Sequence, residues 1–275
     1  MESFDLILQI RASYNQFTKA EKKIADYCLN HREEIPYLSI TELADACQVG
    51  DTSVYRFCRS LKLEGYQDFK MRFYAFANWQ VSSEPGTKSL AERILAAHQN
   101  AVAETYALLH AEQLEKIVSM LDNAEKVYFF GVGDSLLAAK EAYNRFLRIT
   151  PKVNCISDPH MQSVAAALAS KNDLFFLISY SGSTKDTVHT ARLAKERGAR
   201  VACISHFQKS PLTGYCDAVL LCGSKEDPFN RGSASAKAGQ LYLIDLLYQS
   251  LYELHPEEAS RCNALASASV LEMSL

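Results

Sequence analysis

Residues 179–184, Ser-Tyr-Ser-Gly-Ser-Thr, set four serine and threonine hydroxyls and a glycine directly behind the apolar run Phe176-Leu177-Ile178. Ser179, Ser181, Ser183 and Thr184 can each donate to an oxyanion. Gly182 lets a backbone approach closely, and Lys185 adds charge. A helix starting near Thr184 would contribute free N–H groups and the positive end of its dipole. That chemistry suits one phosphate group. The same residues also fit a plainer use: Ser183 precedes Asp186 by three positions, an acceptable capping box, and Ser/Thr-Gly turns are common.

Two further stretches resemble it. Gly131-Val132-Gly133-Asp134-Ser135 follows the apolar Phe129-Phe130, and Ser205-His206 follows Cys203-Ile204. Three apolar runs therefore end in hydroxyls. A dinucleotide fingerprint is the rival for the Gly131 stretch. Leu136 stands where its third glycine belongs, and Asp158 follows Gly131 by 27 residues rather than the ~20 expected of a ribose-binding acid.

These turns need elements to position them. From about residue 125 the chain alternates short apolar runs with helical stretches. The runs are KVYFFGVGDS, KVNCIS, DLFFLISYSGS, ARVACISH and DAVLLCG. Strands buried on both faces alternating with helices predict an α/β unit with a five-stranded parallel sheet, doubly wound in the flavodoxin-like manner. Analogy with such folds predicts the order 2-1-3-4-5, with ligands beyond the carboxyl ends of the strands. A last helix, SAKAGQLYLIDLLYQSLYEL, is predicted to close one side and to stop before Pro256.

The segments GVGDS, SDPHMQ, DLFFLISYSGSTKDT, AKERGARVACISH, SPLTGYCDAVLLC and GQLYLIDLLY resemble the SIS (sugar isomerase) domain from about residue 125 to 250. The resemblance implies that Ser135, Ser179, Ser181 and Thr184 hold the phosphate of a phosphosugar. Gly133 and Ser183 would assist, and Ser205 would join them.

Before residue 81 the grammar is helical throughout. Thr18 stands three residues before Glu21, a capping-box pattern, and Ile24, Ala25, Cys28 and Leu29 follow the helical period. SITELADACQ repeats the pattern from Ser39 or Thr41, VG turns, and DTSVYRFCRSL makes a third helix. Its Val54, Phe57, Cys58 and Leu61 form one stripe. Helix, short turn, helix within 40–61 is the helix-turn-helix pattern. The face opposite the stripe carries Thr52, Ser53, Arg56, Arg59 and Ser60, with Tyr55 at its side. Arginine grips phosphate or reads guanine, and small hydroxylated residues near a helix start reach bases or phosphates. Between Tyr55 and Arg72, Arg56, Arg59, Lys62, Lys70 and Arg72 outnumber Glu64 and Asp68 by three charges. An ordinary solvated helix face would look the same.

The string from Phe17 to Phe73 resembles the N-terminal domain of RpiR-type bacterial transcription regulators, most closely in IADY, SITELA and SVYRFCRSL…GYQDFK. It departs at Gly50, where that family usually has Ser as the helix cap, and at Lys62, near which the family usually has Gly. Gly is a tolerated cap, so the fold survives.

The predicted layout is an all-α helix-turn-helix domain over 1–80, a linker over 81–89 rich in Ser, Pro and Gly, and a SIS domain over 90–275 with its core at 125–254. The resemblance implies a regulator of sugar metabolism that binds a double-stranded DNA operator and a phosphosugar effector. It is expected to be a homodimer or higher homo-oligomer. An enzyme, a phosphosugar isomerase or lyase, is the alternative, with His160, His206, Glu226 and Asp227 as candidate bases. A DNA-binding protein whose SIS domain serves only as a dimer scaffold is a third. No pair of acids has clear catalytic spacing, so no catalytic residue is assigned, and no metal or cofactor is expected.

Composition agrees with a globular chain: 275 residues, 48% hydrophobic, 22% charged, net charge -3. No bulk positive field advertises nucleic acid, although a local patch suffices. The eight cysteines form no CxxC pair and several sit in apolar runs, as reduced core cysteines of a cytoplasmic protein would. Glu2 and Asp5 stand where a signal peptide needs positive charge, and no apolar run approaches the ~18 residues of a membrane helix.

Overall fold

The computed structural model describes residues 6–78, 89–223 and 234–271. The chain divides into two compact units, mainly the residues before and after the Arg93–Ile94 boundary.

The N-terminal unit holds α1 (Leu6–Ser13), α2 (Lys19–Asn30), α3 (Ile40–Ala46), α4 (Asp51–Ser60) and α5 (Tyr66–Asn78). Reciprocal capping boxes start α2 at Thr18/Glu21 and α3 at Ser39/Glu42. Of the two predicted starts for α3, Ser39 is the cap. Gly50 caps α4 with no side-chain bond, so that helix starts on backbone geometry alone. The stripe Val54, Phe57, Cys58 and Leu61 is buried against Phe17, Ile24, Leu43 and Phe69 in one cluster. Phe57 makes edge contacts with both Phe17 and Phe69. Cys28, Cys47 and Cys58 are buried in the same core. Burial pushes the Cys47 thiol up to about 11 and that of Cys58 up to about 12, so both stay protonated.

The next elements are α6 (Leu90–Ala107), α7 (Ala111–Asn123), β1 (Val127–Gly131), α8 (Asp134–Phe146), β2 (Val153–Asn154), α9 (Pro159–Ala167) and β3 (Leu174–Ile178). They are followed by α10 (Lys185–Glu196), β4 (Arg200–Ser205), β5 (Ala218–Leu221), α11 (Ala234–Leu254) and α12 (Pro256–Leu271). The sheet is five-stranded in the order β2-β1-β3-β4-β5, and every pairing is parallel. All five residues of the central strand β3 are buried, while the edge strand β5 alternates buried and half-buried. One apolar cluster joins Phe129, Phe176, Ile178 and Ile204 to α7, α8 and α11. The other joins Phe130, Phe175, Leu177 and Cys203 to α10.

Two details differ from the sequence reading, and a third expectation falls largely outside the described residues. The linker predicted at 81–89 lies outside the described residues except for Ser89. That residue caps α6, exchanging hydrogen bonds with Glu92. β2 is only two residues long, because the chain leaves the sheet after Asn154. Helix does resume after Leu254: Pro256 is the first residue of α12, where its missing N–H costs nothing. Among the described residues no helix is long and apolar enough to cross a membrane.

Candidate functional site

β1 and β3 are neighbours in the sheet, and each runs into a tight turn and then a helix. Their exits therefore lie side by side at the carboxyl edge. After β3, Gly182 takes φ +58°, a left-handed turn that suits glycine. Its N–H donates to the Ser179 carbonyl at 3.2 Å. Ser181 Oγ accepts from the Ser183 N–H at 3.2 Å, and Ser183 Oγ donates to the Ser181 carbonyl at 3.1 Å. These bonds hold the loop in one shape.

α10 then opens at Thr184 with no side-chain cap. The proposed Ser183–Asp186 capping box is not formed, because Ser183 turns back into the loop. Buried Ser179 has no hydrogen-bond partner for its hydroxyl among the described residues, nor has Thr184.

The turn after β1 follows the same plan. Gly133 takes φ +60° and precedes α8, which also opens without a side-chain cap. Ser135, in the first turn of α8, is half-buried, and its hydroxyl too has no partner among the described residues. Asp134 of that turn is paired with Lys237 of α11 at 3.1 Å. By contrast α9 is capped: Asp158 accepts from the Met161 N–H at 2.9 Å. The acid weighed as a ribose ligand is thus occupied as a helix cap.

Ser205 behaves differently from the other serines. It is fully buried, and its hydroxyl donates to the Tyr180 carbonyl at 3.2 Å. It ties the β4 exit to the β3 exit. Sequence reasoning missed a second tie, Gln162. This buried side chain donates to the Gly131 carbonyl at 3.0 Å and the Ile156 carbonyl at 2.7 Å, locking the β1 turn to the β2 exit. Its only sequence signal is a glutamine among alanines. His160, on α9, is exposed, and Glu226 and Asp227 lie outside the described residues. No cluster of three or more His, Cys, Asp or Glu fit to hold a metal ion occurs among the described residues.

In the N-terminal unit, Thr52, Tyr55, Arg56, Arg59 and Ser60 of α4 are exposed and Ser53 is half-buried. Arg56 makes no hydrogen bond or ion pair among the described residues. Arg59 is engaged within its own unit: Nη1 donates to the Leu63 carbonyl at 3.1 Å beyond the helix end. Tyr55 lies against the next turn, where a Cβ added at Gly65 would sit 3.6 Å from its Cε2. The positive excess is smaller on this face than in sequence. Lys70 is buried beside the Tyr66 ring, and Arg72 pairs with Asp68. Lys62 stands at φ +61° with Leu63 N–H bonded to the Cys58 carbonyl at 3.0 Å, a Schellman-type helix end. That geometry explains why a glycine is expected near this position.

A helix-turn-helix with an open arginine face, followed on the same chain by a doubly wound α/β unit with hydroxyl-lined strand exits, is the architecture of a transcription regulator. Residues 4–77 match the helix-turn-helix domain of the rpiR family, and residues 120–250 match the SIS domain. An HTH-type transcriptional regulator of Caldanaerobacter subterraneus is 34% identical over 89% of each chain. One from Haemophilus influenzae is 30% identical over 98% of each. The solved structure of Vibrio vulnificus NanR complexed with ManNAc-6P superposes with a TM-score of 0.89 at 29% identity, over 98% of this chain and 99% of that one. The chain belongs to the RpiR family of HTH-type transcriptional regulators and carries a SIS domain.

Proposed function

We propose that this regulator senses a phosphosugar in its SIS domain and controls a sugar-metabolism operator through α4. One observation carries the effector reading. α8 and α10 open uncapped from adjacent strands, with the hydroxyls of Ser135, Ser179 and Thr184 unspent beside them. Two positive helix ends and a ring of donors suit a phosphate dianion and offer little to a neutral ligand. Ser181, Ser183, Gly133 and Lys185 complete the cradle, and Ser205 braces it. Binding of ManNAc-6P by the similar NanR protein supports a sugar phosphate as the class of effector.

Thr52, Ser53, Tyr55, Arg56 and Arg59 are the DNA-contacting set. The working layout is a DNA-binding domain over 1–80 and an effector domain over 90–275. A homodimer follows from the logic of two-fold operators, each head reading one half-site. The setting is the cytoplasm, where DNA and phosphosugars meet. An isomerase would need a base held near the substrate carbonyl. No observation favours that reading, and the protein is taken as a non-enzyme.

The test is thermal denaturation and calorimetry with hexose and N-acetylhexosamine 6-phosphates beside their unphosphorylated sugars. Raised melting temperature with the phosphorylated forms alone is expected. Equal response to both forms, or none to either, overturns the reading.

A further inference from the structure

On the reading that the strand exits hold a phosphosugar, we propose that Gln162 selects the sugar part of the ligand, its side-chain oxygen Oε1 accepting a hydrogen bond from one sugar hydroxyl. Toward a phosphate every group of the cradle acts as a donor: helix N–H groups, serine and threonine hydroxyls. Sugar hydroxyls also need acceptors, and a side chain with an unpaired oxygen at the same edge supplies one.

Gln162 stands one turn into α9. Asp158 and Pro159 fix the start of that helix, and the Gln162 N–H donates to the Asp158 carbonyl at 2.9 Å. The residue is 1% exposed. Its Nε2 bridges two carbonyls, that of Gly131 at 3.0 Å and that of Ile156 at 2.7 Å. Carbonyls only accept, so the amide nitrogen must face them and the oxygen is left to face elsewhere. The side chain makes no other bond among the described residues. The side-chain atoms enclosed there without a partner are the hydroxyls of Thr187 and Thr190, and Oε1 is not one of them. It therefore lacks a partner yet reaches solvent.

Its place is beside the cradle. Gly131 ends β1, and two residues later Gly133 makes the turn into α8. β1 lies between β2 and β3 in the sheet. The cradle spans the β1 and β3 exits, and Gln162 joins the β1 exit to the β2 exit, one strand spacing of about 4.8 Å further along the edge. A phosphorylated hexose is longer than that step. The other polar side chain weighed at this edge, His206, is engaged: its ring stacks on Tyr180, and Nδ1 lies 2.9 Å from the Cys222 carbonyl oxygen. Two hydrogen bonds already hold the Gln162 amide, so it loses little freedom on meeting a ligand.

Calorimetry tests this with the tightest-binding member of the hexose and N-acetylhexosamine 6-phosphate panel and its single-deoxy analogues. In wild-type protein, removal of one particular hydroxyl should weaken binding about tenfold, as a lost hydrogen bond between neutral groups does. Gln162→Met, similar in size but without an acceptor oxygen, should bind the parent sugar phosphate and that analogue equally. A Gln162 that only clasps the β1 turn would lower the parent and every analogue by one common factor, so wild-type ratios in Gln162→Met overturn the proposal. If Gln162→Met fails to fold, Gln162→Asn decides. It keeps the amide but draws the oxygen back, so the ratio at that hydroxyl should fall toward one, and an unchanged ratio overturns the proposal. Equal wild-type affinity for the parent and all its deoxy analogues overturns it without any variant. If wild-type protein binds no panel member, the effector reading itself fails and this assignment with it. If Ser181→Ala weakens every sugar phosphate while Gln162→Met keeps the wild-type ratios, the effector reading stands and only the assignment falls.

Discussion

A Cβ added at Gly131 would lie 2.7 Å from the carbonyl oxygen of Ser135. The last residue of β1 and the first turn of α8 are that close, and backbone rather than a movable side chain stands in the way. Gly131→Ala must push α8 back from the sheet. Overpacking of this kind costs about 1–3 kcal/mol. Urea denaturation should show that loss, and calorimetry should show weakened phosphosugar binding, because Ser135 moves with the helix. Wild-type stability would mean that the turn can open without harm.

Ser179→Ala separates a cradle from a structural turn. The residue is buried and its hydroxyl has no partner among the described residues, so removing that hydroxyl should leave the melting temperature nearly unchanged. A hydrogen bond lost to a charged phosphate costs about 1.5–3 kcal/mol, roughly ten- to hundredfold in ligand affinity. A lowered melting temperature with intact affinity would return the loop to the role of a turn.

The two arginines of α4 should behave differently. Arg56 makes no bond among the described residues, so Arg56→Ala should weaken operator binding and reduce the salt slope by about one ion at unchanged stability. Arg59 also bonds the Leu63 carbonyl, so Arg59→Ala should lower stability as well as DNA affinity. Gel shifts across a salt series, read beside denaturation curves, distinguish the pair. Wild-type salt dependence in both variants would exclude this face.

Lys62 pays a backbone cost that glycine does not. At φ +61° a side chain is strained, and Lys62→Gly should stabilise the N-terminal unit by roughly 0.5–1 kcal/mol after the added chain entropy of glycine. If its charge touches operator phosphate, DNA affinity should fall while stability rises. Unchanged affinity in a gel shift would remove Lys62 from the DNA surface.

The elements of both units could be read along the chain, because their signals are local. Thr18 with Glu21 announces α2, the Val54–Leu61 stripe announces α4, and uninterrupted apolar runs such as Leu174–Ile178 announce strands covered on both sides. The strand order, expected by analogy with other five-stranded doubly wound folds, is the one the sheet adopts. The uses of individual polar residues were decided elsewhere. Ser179 and Ser205 look alike in sequence, each ending a strand. Yet one hydroxyl is unspent and the other is taken by Tyr180 from the neighbouring strand exit. Asp158 as a cap, Gln162 as a clasp between β1 and β2, and the Tyr180–His206 stack likewise depend on partners fixed by packing. Periodicity records which way a side chain faces, because burial repeats with the helix or strand. Which partner meets a hydrogen-bonding group depends on distances of a few tenths of an ångström between segments far apart in the chain, and only the folded sheet sets those.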